Sequence, residues 1–250
     1  MERDLMFIGS FFAFGMGAVI ASFLNVVIWR TPRGESIVSP PSHCPKCNAP
    51  IRWYQNIPIL SWLALRGRCA NCREPISPRY ILIEILGAVL FLGAFWRCGL
   101  DPWAILSAWI WISLMIVGSM IDYDLKLLPD FVTVGDMILG DSLVGLALGF
   151  GLLWLVRFLG TKAFKREAMG LGDVFLMGAV GAMHGPVAVL FTLIVSSVLG
   201  SVVGVGLVAA SKTKFGKFLE IPYGPYICLA DLIWFFAGPE IVEIYLSLLR

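Results

Sequence analysis

"LMFIGSFFAFGMGAVIASFLNVVIW", residues 5–29, holds no charged side chain over a length that crosses a bilayer. It is too long for a signal-peptide core, and no small-residue cleavage site precedes Arg30, so it reads as a retained span. The rest of the chain agrees. With 58% hydrophobic and 14% charged residues and a mean hydropathy of +0.84, 250 residues cannot bury their apolar runs in one water-soluble core. The predicted class is an all-α polytopic membrane protein of about seven to eight transmembrane segments with a small cytoplasmic loop domain. A net charge of only +2 makes no case for nucleic-acid binding.

Charge distribution orients the chain. Residues 30–79 carry eight Lys and Arg against Glu35 and Glu74, so this segment is expected in the cytoplasm, with the N-terminus outside. Runs 80–96 and 103–121 return the chain to the cytoplasm at Asp122. Basic clusters at Arg157–Arg166 and Lys212–Lys217 punctuate later runs, of which 174–183 and 187–209 cross out and back around "HGPV", and 225–248 forms the last span. Residues 131–156 must leave and re-enter one side within 26 residues, too few for two spans, so either a re-entrant or thinned hairpin is expected or a stretch that would complete two spans is missing here.

The loop carries "CPKC" at Cys44 and Cys47 and "CANC" at Cys69 and Cys72. Paired CxxC knuckles let four thiolates converge on one ion and leave no position open for water, which predicts a structural zinc site. Two disulfides are the alternative, disfavoured in a reducing compartment. Metal binding would supply folding energy that so short and polar a loop lacks. Cys98 and Cys228, beside apolar runs, read as packing residues.

Two acidic sites punctuate apolar runs. "IDYDLKLLPD", residues 121–130, holds Asp122 deepest, and "GLGD", residues 170–173, ends on Asp173. Both are expected at the cytoplasmic membrane edge, on different helices. A carboxylate there is costly unless it has a task. Two carboxylates within a few Å share a proton, and such a pair activates a water while protonating a peptide carbonyl oxygen, which is aspartyl-protease chemistry. Gly170 and Gly172 permit close approach of a substrate strand. Each acid also has a plain reading: Asp173 as a helix cap, Asp130 as the cap of the next helix.

The motifs together resemble the type IV prepilin peptidases, bifunctional leader peptidases and N-methyltransferases of bacterial pilus and type II secretion systems. The resemblance rests on "SFLNVVIWRTP" (22–32), both knuckles, "IRWYQNIPILSWLALRGRC" (51–69), "ISPRYILIEIL" (76–86), "IDYDLKLLPD", "MGLGDVFL" (169–176) and "IPYGPYICLA" (221–230). It implies an intramembrane GxGD aspartyl protease whose dyad is Asp122 and Asp173. It further implies a prepilin or pseudopilin membrane-helix substrate with a basic leader, cut at the cytoplasmic face of the bacterial inner membrane, then methylated from S-adenosylmethionine. The implied division is a first span (1–29), a cytoplasmic zinc-knuckle and methyl-transfer region (30–79) and a peptidase domain (80–250). For the methyl donor the resemblance points to Gly67, Arg68 and Glu84, since no GxGxxG-like loop is present. Glu84 otherwise reads as an intramembrane acid satisfied by a hydroxyl or by Arg79, and Asn25, Asn56 and Asp231 as polar contacts between helices or turns. His43 reads as a bystander of the metal site and His184 as a turn residue. Phe175 stands where relatives usually carry Lys, Ala21 where they carry Gly, and the stretch between Asp130 and Asp141 is shorter than theirs. A transporter using the two aspartates as a proton relay and a non-catalytic assembly factor are the competing classes; the first needs more polar residues along its spans.

Overall fold

The computed structural model describes residues 2–126, 129, 142–165, 167, 169–210 and 221–248. Among them the fold is helical: α1 (Glu2–Arg30), α2 (Leu60–Ala64), α3 (Pro78–Cys98), α4 (Pro102–Leu125), α5 (Leu143–Phe164), α6 (Leu171–Ala210) and α7 (Gly224–Leu248), with short 3-10 turns at Thr31–Arg33 and Trp53–Gln55. Among the described residues, five segments are long and apolar enough to cross a membrane: Glu2–Arg33, Pro78–Cys98, Pro102–Leu125, Leu143–Ala163 and Leu171–Leu207. The chain divides into two compact units, residues 1–117 and 118–250.

Helix starts are written in local chemistry. Ser77 caps α3, accepting the Arg79 N–H at 3.3 Å, with Pro78 at the first helical position. Asp101 does the same for α4, accepting from Trp103 at 3.0 Å ahead of its Pro102. In the first unit α1 and α3 run antiparallel. Asn25 donates to the Tyr80 carbonyl at one end (3.2 Å), and the Trp96 indole donates to Ser10 at the other (2.9 Å). The expected interhelical role of Asn25 is thus observed. Ala21 is fully packed against Gly87, which has no side chain to oppose it.

In the second unit α6 is not one rod. Gly185 has φ 84° and ψ −179°, and Pro186, which lacks an N–H, follows it. A Cβ built on Gly181 would stand 2.9 Å from Val189, although eight residues of straight helix would put them about 12 Å apart. The element is therefore two arms folded back at Gly185, as the "HGPV" turn predicts. α5 differs from expectation. Residues 131–141 lie outside the described residues, but Leu143–Phe164 is one continuous helix and not the returning half of a thinned hairpin. Its polar boundary was misplaced at Val156 because Arg157 reads as an end. In the structure Arg157 stays helical and reaches out, donating to the Met169 carbonyl at 3.0 Å and pairing with Glu167 at 2.9 Å.

α5 meets the first arm of α6 backbone to backbone. A Cβ on Gly145 would come 1.9 Å from the Gly181 carbonyl oxygen, and one on Gly149 would come 2.2 Å from that of Met177. Gly145→Ala is therefore expected to lower thermal stability in detergent by about 1–3 kcal/mol through overpacking. Gly151→Ala, with nothing within 4 Å of the added carbon, should leave the melting temperature unchanged. Equal melting of the two variants would contradict this contact.

Candidate functional site

The second unit carries both motif aspartates. Asp122 lies in the last turn of α4 and Asp173 in the first turn of α6, both buried. The carboxylates are near enough for charge on one to be felt at the other. A carboxylate at a helix C-terminus faces the negative end of the backbone dipole. Asp122 offsets this by accepting the Gly224 N–H at 3.0 Å. Gly224 opens α7, and its amide is one of the first-turn donors that no helix satisfies internally. Asp173 accepts the backbone N–H of Gly170, the residue before its helix. Asp173 thus stands at the third helical position and bonds back to the start, as in a capping box, and is not itself the cap. Arg157 holds the carbonyl next to Gly170, so α5 helps to set this turn. Phe175, two residues on, packs edge-on against Phe150 with ring centres 5.4 Å apart. Asp130 lies outside the described residues.

The four knuckle cysteines form the second cluster. Each CxxC folds the same way, 25 positions apart. Cys44 N–H bonds to Ala49 and Cys69 N–H to Glu74; Asn48 and Arg73 close the turns in the left-handed region, with φ 55° and 61°. Isolated bridges His43–Pro50 and Arg68–Pro75 flank the two turns. The four sulfurs lie within 4.8 Å of one another, with Cys44 and Cys72 3.8 Å apart and none bonded, so they could hold a metal ion. Backbone amides already favour thiolates here. The Ala49 N–H, then the Asn71 side chain, pull the Cys47 thiol down to about 6. Cys69 is lowered by the amides of Cys72 and Asn71. The Glu74 amide favours the Cys72 anion too, but desolvation and the three facing sulfurs outweigh it and push that thiol up to about 12. Repulsion of this kind is what a divalent cation removes. His43 is engaged with the Pro41 carbonyl, in keeping with a bystander.

Gly67, Arg68 and Glu84 have identifiable surroundings. A Cβ on Gly67 would lie 2.7 Å from the Trp62 ring, and Gly67 has φ +64°, so the indole fills the space the missing side chain leaves. Glu84 is buried, but its partner is neither Arg79 nor a hydroxyl. It accepts the Ile59 N–H at 2.7 Å, and Ile59 is itself in a strained left-handed backbone with φ 62°. Arg68 is exposed.

Three features escaped sequence reasoning. The Gly224 amide carries no side-chain signal, although Pro222 and Pro225 around it mark a turn into a helix. Arg30, at the end of α1, is buried with its guanidinium on the Ser36 and Pro40 carbonyls. His184 and the wholly buried Asp231, 47 residues apart, meet at 2.9 Å.

Comparison with known proteins agrees with this arrangement. Residues 16–98 match the Bacterial Peptidase A24 N-terminal domain and residues 103–205 the Type IV leader peptidase family. A prepilin leader peptidase/N-methyltransferase of Myxococcus xanthus (strain DK1622) is 40% identical over 80% of this chain and 63% of its own length. One from Aeromonas hydrophila is 35% identical over 92% of this chain and 91% of its own. A type 4 prepilin-like proteins leader peptide-processing enzyme of Escherichia coli O78:H11 is 36% identical over 86% of this chain and 89% of its own. No solved structure matches.

Proposed function

This chain belongs to the type IV leader peptidase family, and from that premise we propose that Asp122 and Asp173 cut the leader from prepilins. The observation that supports the reading is the burial of two carboxylates on separate helices, near enough for the charge of one to act on the other. They hold one proton between them. The ionised member takes a proton from water as that water attacks the scissile carbonyl carbon, and the protonated member gives its own proton to the carbonyl oxygen. As the C–N bond breaks, the proton is passed on to the leaving amine. Amides of Gly224 and Gly170 hold the two side chains in place without consuming their second oxygens.

The substrate's chemistry suits this position. A prepilin or pseudopilin is a membrane helix with a charged leader at one end, so its scissile bond arrives at the depth of acids placed at helix ends. By the positive-inside rule the aspartates and the basic loop face the cytoplasm of a multi-pass protein of the bacterial inner membrane. Residues 30–79 carry the metal and methyl-transfer side, and residues 80–250 the peptidase. The four cysteines hold zinc. An ion with sulfur bonds of about 2.3 Å in a tetrahedron spaces its ligands about 3.8 Å apart, the Cys44–Cys72 distance of 3.8 Å. With four sulfurs bound it has no place for water, so its role is structural. S-adenosylmethionine, when bound, supplies an electrophilic methyl group for the new N-terminal amine. Gly67 and Glu84 serve that reaction by shaping the loop between the knuckles.

The test is cleavage of a leader-bearing prepilin by purified enzyme, wild type beside Asp122→Asn and Asp173→Asn. Equal processing by all three would overturn the assignment.

A further inference from the structure

Methyl transfer requires a seat for the donor. A cavity of about 550 Å³ opens in the first unit, between the second half of α1 and the loop residues 37–58. Small-molecule sites occupy roughly 300–1,000 Å³ and combine apolar walls with a few placed polar groups. One wall is a single face of α1, on which Phe23, Val26 and Arg30 follow one another at helical spacing; the other carries Trp53, Asn56 and Pro58.

Two of these side chains are unusual for a loop of this size. Arg30 is only 9% exposed, yet its two bonds, to Ser36 at 2.9 Å and Pro40 at 2.8 Å, use one N–H on each terminal nitrogen. A guanidinium has five. Fixed in this way, it presents a rigid fork suited to a carboxylate. Trp53 is 81% exposed, with the Tyr54 ring perpendicular to it and ring centres 5.7 Å apart. An exposed indole accepts a purine or a cation. Asn56 offers both donors and an acceptor.

We propose that this cavity binds S-adenosylmethionine, with the amino-acid carboxylate on Arg30 and the adenine and sulfonium end against Trp53. The inference rests on the methyltransferase reading above. It also gives Glu84 a positioning role: its carboxylate fixes the Ile59 amide, next to the cavity residue Pro58, and so acts on the donor only through the loop. The polar groups favour this occupant over a phospholipid acyl chain, which would need a wall without Arg30 or Asn56.

Calorimetric titration of S-adenosylhomocysteine into the full-length, zinc-loaded protein in detergent tests it, with bound zinc measured on each variant as the check of folding. Wild type is expected to bind at one site. Trp53→Ala should weaken binding by about tenfold, the scale of a lost cation–π and stacking contact, while Trp53→Phe retains most of it. Ser22→Trp, which fills the cavity with an indole, should abolish binding. If wild type binds and both Trp53→Ala and Ser22→Trp bind as tightly, the cavity belongs to lipid and the proposed seat is wrong, with the methyltransferase reading intact. Absence of binding by wild type would overturn that reading and the seat together.

Discussion

Asp122→Asn and Asp173→Asn are each expected to lower the rate of leader removal by about 10²–10⁴-fold, the usual contribution of a positioned acid or base. Asn is the informative replacement because it keeps the shape of Asp. Its side-chain oxygen can still accept the Gly224 N–H that holds residue 122, or the Gly170 N–H that holds residue 173, so folding and substrate binding should change little. The loss should therefore fall on kcat and leave KM for the precursor nearly constant. Removing both acids should cost little more than removing one, since a pair that shares a proton fails as a unit. Additive losses, or variants that cut at the wild-type rate in a gel-shift assay of leader release, would dismiss the dyad.

Cys44→Ser and Cys69→Ser are expected to empty the metal site. Each takes one thiolate from a set of four, and the loop between the knuckles has only short turns and isolated bridges of its own. In small domains of this kind metal affinity is folding energy, on the order of 10–16 kcal/mol. Residues 44–72 should then become sensitive to protease, and elemental analysis should show zinc near zero. Cys98→Ser and Cys228→Ser, outside the cluster, should keep it. Acid should act in the same direction, because ligand thiols must be deprotonated. The Cys47 thiol, already drawn down to about 6, ionises most readily, whereas Cys72, pushed up to about 12, depends on the cation to lose its proton. Zinc should accordingly be released as pH falls and not as it rises. Unchanged metal content in the serine variants would refute the assignment.

What the sequence disclosed and what it withheld follow a physical division. Cysteines at CxxC spacing and acids at the ends of apolar runs are conspicuous because each residue type is expensive in that setting; the four cysteines converge in the structure, and both acids are buried at helix ends. The apolar runs likewise mark α1, α3 and α4 within a few residues. The extent of α5 is hidden in the sequence because Arg157 reads as a boundary, while a long Arg side chain can leave a helix without ending it. The Gly224 amide that holds Asp122 was invisible, since a backbone donor belongs to every residue and only tertiary placement singles it out. Glu84 was visible as a buried acid, but its partner, a main-chain N–H in a strained turn, was not. The His184–Asp231 pair needed the fold at Gly185 before the two could be seen to meet.

That fold at Gly185 also bears on biogenesis. The arm that carries Asp173, Leu171 to His184, is about 14 residues, some 21 Å of helix, shorter than the roughly 30 Å of hydrocarbon it enters. Such a segment is a poor stop signal for the insertion machinery on its own. It should partition into lipid only when the arm after Pro186 emerges from the ribosome and the two enter as one unit, so Asp173 reaches its depth after the chain beyond it has been made.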